Sequence, residues 1–119
     1  MTPEVLKART KAFALKIIAL VGALLRTQIA QVIGRQLVSA GTSVGANYRA
    51  ACRAQSHPTF QAKLAIVEEE ADETLYWLEI LAESGVVKAE RLRDLLKEAD
   101  ELLAIFTASR KTAKSAGQS

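Results

Sequence analysis

Apolar side chains recur along this chain at alternating steps of four and three, the spacing that lines up one face of an α-helix. The first such series is Leu6, Thr10, Phe13, Ile17, Leu20 and Leu24, and the second is Ile33, Leu37, Ala40, Val44, Asn47, Ala51 and Ala54. The third, Phe60, Leu64, Val67, Ala71, Thr74, Leu78 and Leu81, is the cleanest. The fourth is Leu92, Leu95, Ala99, Leu102 and Phe106, with Leu96 and Leu103 beside it. The first helix is predicted to run from an N-cap at Thr2 to about Leu25, with Pro3 in its first turn and Glu4 facing the positive end of the dipole. A break follows near Arg26 to Gln28, although no Gly or Pro stands there. Ser56 or His57 caps the third helix, Pro58 lies in its first turn, and Gly85 ends it. The fourth spans about Lys88 to Arg110, and the KTAKSAGQS segment beyond it has no apolar anchor, which predicts a frayed tail.

Helices of about 20 to 27 residues are roughly 30 to 40 Å long at about 1.5 Å per residue. Similar lengths and short connections predict an all-α fold, an antiparallel up-down-up-down four-helix bundle. It would form one domain over residues 1–110, followed by a disordered basic tail over residues 111–119. Gly41 and Gly45 each cost helix two roughly 1 kcal/mol of propensity, so a neighbouring backbone is expected to approach closely there. Helix one carries a second apolar stripe, Ala14, Ile18, Val21 and Leu25. One partner face cannot cover both stripes, which points to burial in an oligomer.

The 119 residues are half apolar and poor in aromatics, with two Pro and six Gly, a balance that favours helix on helix over a sheet. A lone Cys52 makes no internal disulfide, and a cytoplasmic location is expected. Lys7, Arg9 and Lys11 precede an apolar run from Ala12 to Leu25. Lys16 interrupts that run and no small-residue cleavage pattern follows, which argues against a secretory signal. The run is also shorter than the about 20 apolar residues a membrane span needs.

Charge changes the picture most. From Val5 to Val67 there is no Asp or Glu, whereas Glu68 to Glu101 is dominated by carboxylates, and Arg110, Lys111 and Lys114 make the end basic again. The formal net charge of +3 hides this sorting. Lys7, Arg9, Lys11, Lys16, Arg26, Arg35, Arg49 and Arg53 are the candidate nucleic-acid contacts, because cations in excess of internal pairing suit a phosphate backbone. Lys7, Arg9 and Lys11 are expected to be exposed. Arg49 and Arg53, one helical turn apart, either straddle phosphates or pair with acids of helices three and four. Tyr48, Tyr76 and Trp77 sit near the seams, so base stacking on an aromatic platform is not expected.

Other chemistry is thinly represented. Asn47 and Glu73 occupy seam-side positions and are predicted to form a structural polar lock, with Glu73 accepting from Asn47, Tyr48 or Arg49. The carboxylates of helix three lack the Glu-x-x-His pairing of di-metal bundles, since His57 is the only histidine; no metal and no cofactor are expected. Of Glu68, Glu69 and Glu70, one is expected to turn inward. Gly41-Thr-Ser-Val-Gly45 reads as close helix packing, and Cys52 as a packed thiol. No nucleotide fingerprint or catalytic arrangement is present, which argues against an enzyme.

The blocks Ser43-Val-Gly-Ala-Asn-Tyr-Arg-Ala-Ala51, Phe60-Gln-Ala-Lys-Leu-Ala-Ile-Val67 and Glu70-Ala-Asp-Glu-Thr-Leu-Tyr-Trp-Leu-Glu79 resemble the four-helix-bundle family encoded by intervening sequences of bacterial 23S ribosomal RNA genes. The resemblance covers about residues 10 to 106. Many members have proline at the position of Gly45 and an Asn-Ile-Ala-Glu-Gly run from the position of Asn47, where this chain has Asn-Tyr-Arg-Ala-Ala and lacks the acidic residue. Ser43, Ala46, Asn47, Glu73 and Thr74 match characteristic positions, read as scaffold. The resemblance implies a ring, commonly a homopentamer. It also implies kinship to the accessory protein of diversity-generating retroelements, a basic ring thought to contact nucleic acid and a reverse transcriptase. The partners it suggests are further copies of the chain, RNA or DNA, and a reverse transcriptase or other protein. Two functions follow as expectations: a non-enzymatic ring that binds RNA or DNA through phosphates with little base specificity, or a protein interaction scaffold with no nucleic-acid role.

Overall fold

The computed structural model describes residues 1–117 and contains no strand among them. Four helices pack together: α1 Pro3–Gly22, α2 Gln28–Cys52, α3 His57–Ser84 and α4 Arg93–Ala116, with a 3₁₀ turn at Ala89–Arg91 before α4. Each of the first three starts on a hydroxyl that accepts an otherwise orphaned amide. Thr2 Oγ1 accepts from Val5 N at 3.2 Å, Thr27 Oγ1 from Ala30 N at 3.1 Å, and Ser56 Oγ from Thr59 N at 3.2 Å. Thr27 is the punctuation that marks the second boundary in the absence of Gly or Pro. Helix one stops at Gly22, three residues short of the expected Leu25, because the chain must turn before that cap. Gly85 closes α3 at φ 80°, a left-handed conformation that its missing Cβ permits.

The predicted seams point inward. Leu6, Phe13, Ile17, Leu37, Val44, Leu64, Val67, Leu78, Leu81, Leu102 and Phe106 are all buried. Thr10 and Thr74, polar members of their seams, are fully buried as well. Each hydroxyl donates to a carbonyl one turn back, Thr10 to Leu6 at 2.8 Å and Thr74 to Glu70 at 2.7 Å, so neither is left unsatisfied. Tyr48 packs its ring on Phe106 with centroids 5.3 Å apart. Val87 and Leu92, which flank the 3₁₀ turn, are buried too. The α3–α4 connection thus contributes to the core, and helix four proper begins at Arg93, later than the expected Lys88.

α2 approaches α1 closely at its glycines. A Cβ on Gly41 would lie 3.1 Å from Ile17 side-chain carbons, and one on Gly45 would lie 3.1 Å from Thr10 Oγ1 and 3.5 Å from the Thr10 backbone. Gly34 meets Val21 and Leu24 in the same way. Residue numbers therefore rise along α1 as they fall along α2. The backbone of α1 runs beside those of α2 and α4 and stays apart from that of α3, which runs beside α2 and α4, so α1 and α3 occupy opposite corners of a body 51 × 21 × 19 Å.

The C-terminal segment differs from the expected frayed tail. α4 continues past Arg110 to Ala116, and Ala113 is only 6% exposed. The Ala113 carbonyl lies 2.8 Å from His57 Nε2 and accepts from Gln61 Nε2 at 2.8 Å. The start of α3 thus holds the last turns of α4, and a small residue served as the anchor. The last two positions of the expected tail, 118 and 119, lie outside the described residues.

Replacing Gly45 by valine is expected to lower stability by about 1–3 kcal/mol through overpacking against Thr10, read as a drop in the thermal midpoint. Gly22→Ala, where an added Cβ meets nothing within 4 Å, is expected to leave the midpoint unchanged or raise it slightly.

Candidate nucleic-acid interface

The close α1–α2 packing brings the start of α1 alongside the end of α2. Lys7, Ala8, Lys11, Arg49 and Arg53 line an open groove of about 320 Å³ between them. Arg49 and Arg53 are exposed and, among the described residues, form no ion pair with the acids of α3 or α4. Lys11 is likewise exposed and unpaired, while Lys7 Nζ sits 3.6 Å from Glu4 Oε1. Arg49 also lies in the last turn of α2, where the helix dipole favours a cation. Four positive groups against one carboxylate make a site for an anion, and two guanidiniums one turn apart suit neighbouring phosphate oxygens.

The other four predicted contacts are elsewhere. Arg9 faces α4, where Nε donates to Glu98 Oε2 at 2.7 Å and Nη2 to Glu98 Oε1 at 2.6 Å and Glu101 Oε2 at 2.8 Å. The hydrogen bonds to Glu98 raise the Arg9 pKa against the opposing pull of burial. Hydrogen bonding from Arg9 holds the Glu98 carboxyl below its usual range, with Lys16 adding a smaller field effect. Arg9 is thus a structural cation and not an exposed phosphate contact. Its place beside the seam residue Thr10 brings it to the α1–α4 boundary, where the acids of α4 claim it. Arg26 and Arg35 line a separate cleft of about 270 Å³ with Leu24, Leu25 and Gln31, roughly 20 Å further along α1 at about 1.5 Å per residue. Six of the eight candidate contacts therefore fall in two separate clusters, and Arg9 and Lys16 in neither.

Asn47 and Glu73 do not meet. The Asn47 amide donates to Ser43 O at 2.9 Å, and the exposed Glu73 accepts from Trp77 Nε1 at 3.4 Å. The predicted lock fails because Thr74, not its neighbour Glu73, holds the inward seam position. Two of the three carboxylates, Glu68 and Glu70, turn partly inward where one was expected, and Glu68 accepts from Arg110 Nε. Burial pushes its pKa up, but hydrogen bonds from Thr107 and Arg110 outweigh that and hold it below the usual range. Glu70, half-buried beside Glu73 and Glu69, is shifted upward, chiefly by burial.

Sequence reasoning missed the space at the same end of the bundle, about 650 Å³, lined by Glu4, Lys7, Tyr48, Cys52, His57 and Phe60 among others. Burial, followed by a hydrogen bond with Cys52, raises the Tyr48 pKa, so Tyr48 stays neutral and gives this space no charge. Among the described residues there is no group of three or more His, Cys, Asp or Glu able to hold a metal ion. No helix there is long and apolar enough to cross a membrane.

The model of the 23S rRNA-intervening sequence protein family matches residues 5–108, and the chain belongs to that family. A crystal structure of a protein of unknown function from the S23 ribosomal protein family of Bacteroides thetaiotaomicron VPI-5482 is similar throughout. It is 34% identical, covers 93% of this chain and 99% of its own, and has a TM-score of 0.85. No functionally curated protein matches the chain.

Arg9→Ala is expected to destabilise the fold by about 1–2 kcal/mol near neutral pH, since it removes charge-assisted hydrogen bonds at a partly buried site. The Glu98 pKa is lowered by folding, so its contribution is complete above the ordinary carboxylate range and is lost as pH falls through the lowered value. The difference in denaturation midpoint between Arg9→Ala and the parent should therefore shrink on acidification. Arg49→Gln with Arg53→Gln should stay within about 0.5 kcal/mol of the parent.

Proposed function

We propose that this member of the 23S rRNA-intervening sequence protein family is a non-enzymatic, self-assembling bundle that binds RNA or DNA through the phosphate backbone with little base specificity. The observation that carries this is the groove of Lys7, Lys11, Arg49 and Arg53, whose charge the rest of the chain leaves almost uncompensated. Phosphate contacts fix position without reading sequence. Base readout has no support here: Tyr48 is buried against Phe106, and Tyr76, which was expected near a seam but is 53% exposed, lies with Trp77 on α3 and not among the groove residues. The antiparallel up-down-up-down course of the helices belongs to this reading. It is supported by the opposed registers of α1 and α2, and by His57 and Glu68 of α3 meeting Ala113 and Arg110 of α4. A cytoplasmic setting fits a nucleic-acid ligand.

A scaffold that docks another protein is the second reading, and the exposed Leu15, Ile18, Leu25, Ile29 and Val32 favour it. Such apolar area is unusual on a surface that meets only water.

Titration of the purified protein against fluorescent duplex DNA, structured RNA and single-stranded DNA at several salt concentrations decides between them. Binding is expected to weaken steeply with salt, and Arg49→Gln with Arg53→Gln should reduce the duplex log–log slope by about two, one per lost phosphate contact. An assembled protein that binds none of the three at low salt would leave the scaffold reading.

A further inference from the structure

We infer that the outer face of α1 docks on the outer face of α3 of a second copy of this chain, head to tail. The inference rests on the reading of the chain as self-assembling and identifies the two surfaces that do it. On α1, Lys11, Ala12, Leu15, Ile18 and Ala19 share the face opposite Leu6, Phe13 and Ile17, and all five are exposed. Leu15 is 59% and Ile18 48% exposed, a continuous apolar strip with Lys11 on its edge. On α3, Ile66, Glu69, Glu73 and Tyr76 share an exposed face, with Trp77 and Ile80 half-buried beside them. Tyr76 and Trp77 stack edge to face with ring centroids 5.1 Å apart, a rigid aromatic pair of the kind that anchors interfaces.

Charge selects the pairing. Among the described residues, Glu69, Glu70 and Glu73 have no cation partner within the chain, and Lys11 has no carboxylate. The burial-driven upward shift of Glu70 between two acids marks the α3 surface as one that a neighbouring cation would relieve. An α1 face against another α1 face would set cation on cation, and two α3 faces would set glutamate on glutamate. Of these three pairings, α1 against α3 is the one that matches opposite charge and apolar surface on both sides. The two strips also match in length, since Ala8 to Gly22 and Ile66 to Ile80 are each about 21 Å of helix at about 1.5 Å per residue. α1 and α3 stand at opposite corners of the bundle, so the contact leaves a free α3 face on one copy and a free α1 face on the other. Addition then continues until a ring closes or a filament grows.

Two variants test this by native mass spectrometry and light scattering, after circular dichroism shows that both remain helical. One carries Leu15→Asp with Ile18→Asp, the other Glu69→Lys with Tyr76→Asp. Each alone is expected to be monomeric while the parent is assembled. Mixed in equal amounts, they should form a one-to-one pair and nothing larger, because each supplies the intact face the other lacks. If the α3 variant assembles as the parent does, or the mixture stays monomeric, the head-to-tail contact is wrong while self-assembly stands. A monomeric parent would overturn both.

Discussion

The close approach of α1 to α2 sets most of what is distinctive here. Gly34, Gly41 and Gly45 leave room for Val21, Ile17 and Thr10 to press against the α2 backbone, and dispersion over that contact offsets the helix propensity that glycine forfeits. α1 therefore lies on α2, with its backbone near α4 over only a short stretch and apart from that of α3. Two consequences follow from one packing choice. The start of α1 and the end of α2 bring four cations into one groove, and the face of α1 directed away from α2 and α4 keeps its leucine and isoleucine in solvent.

The sorting of charge along the chain resolves into separate jobs once the helices are placed. Part of the basic first half is consumed at once: Arg9 reaches across to Glu98 and Glu101, while Arg110 from the basic end returns to Glu68. These pairs sit at partly buried helix boundaries, where hydrogen bonding to a charged partner outweighs the cost of desolvation. Lys11, Arg49 and Arg53 share a groove between α1 and α2 and pair with no acid among the described residues. Glu69 and Glu73 remain exposed on the outer face of α3 without a cation partner among the described residues. A basic cluster and an acidic face thus occupy different helices of the same molecule.

Much of the fold was legible in the chain. Periodicity placed the seams, and Thr2, Ser56 and Gly85 acted as the caps and stop their chemistry suggests. What escaped was of two kinds. Thr27 and Ala113 are small residues whose roles depend on what another segment does, a turn in one case and a docking carbonyl in the other. Arg9 and Glu73 sit one position from a seam, where a rotation of about 100° per residue separates an inward from an outward side chain. A pattern of fours and threes fixes the middle of a face well and its edges poorly. Candidate site residues live at those edges, so Arg9 was misassigned while Lys11, nearer the outer face, is exposed as expected, and the pattern left Arg49 and Arg53 open between pairing and solvent.

Assembly and binding bear on each other through geometry. A single groove with a few cations and a net charge of only +3 gives one chain little hold on a polyanion at physiological salt. The proposed head-to-tail contact would repeat that groove at a fixed interval around or along the assembly, so that a long phosphate backbone would engage several copies together. Each further engagement is then intramolecular, so avidity grows without any new contact being made. The same proposed contact would cover α3 glutamates that repel a phosphate chain and take up Lys11 at its edge, leaving Arg49 and Arg53 facing outward beside each junction. On the proposed reading, a bundle with weak individual sites would thereby bind long nucleic acids in preference to short ones, with selectivity set by length and spacing and not by base sequence.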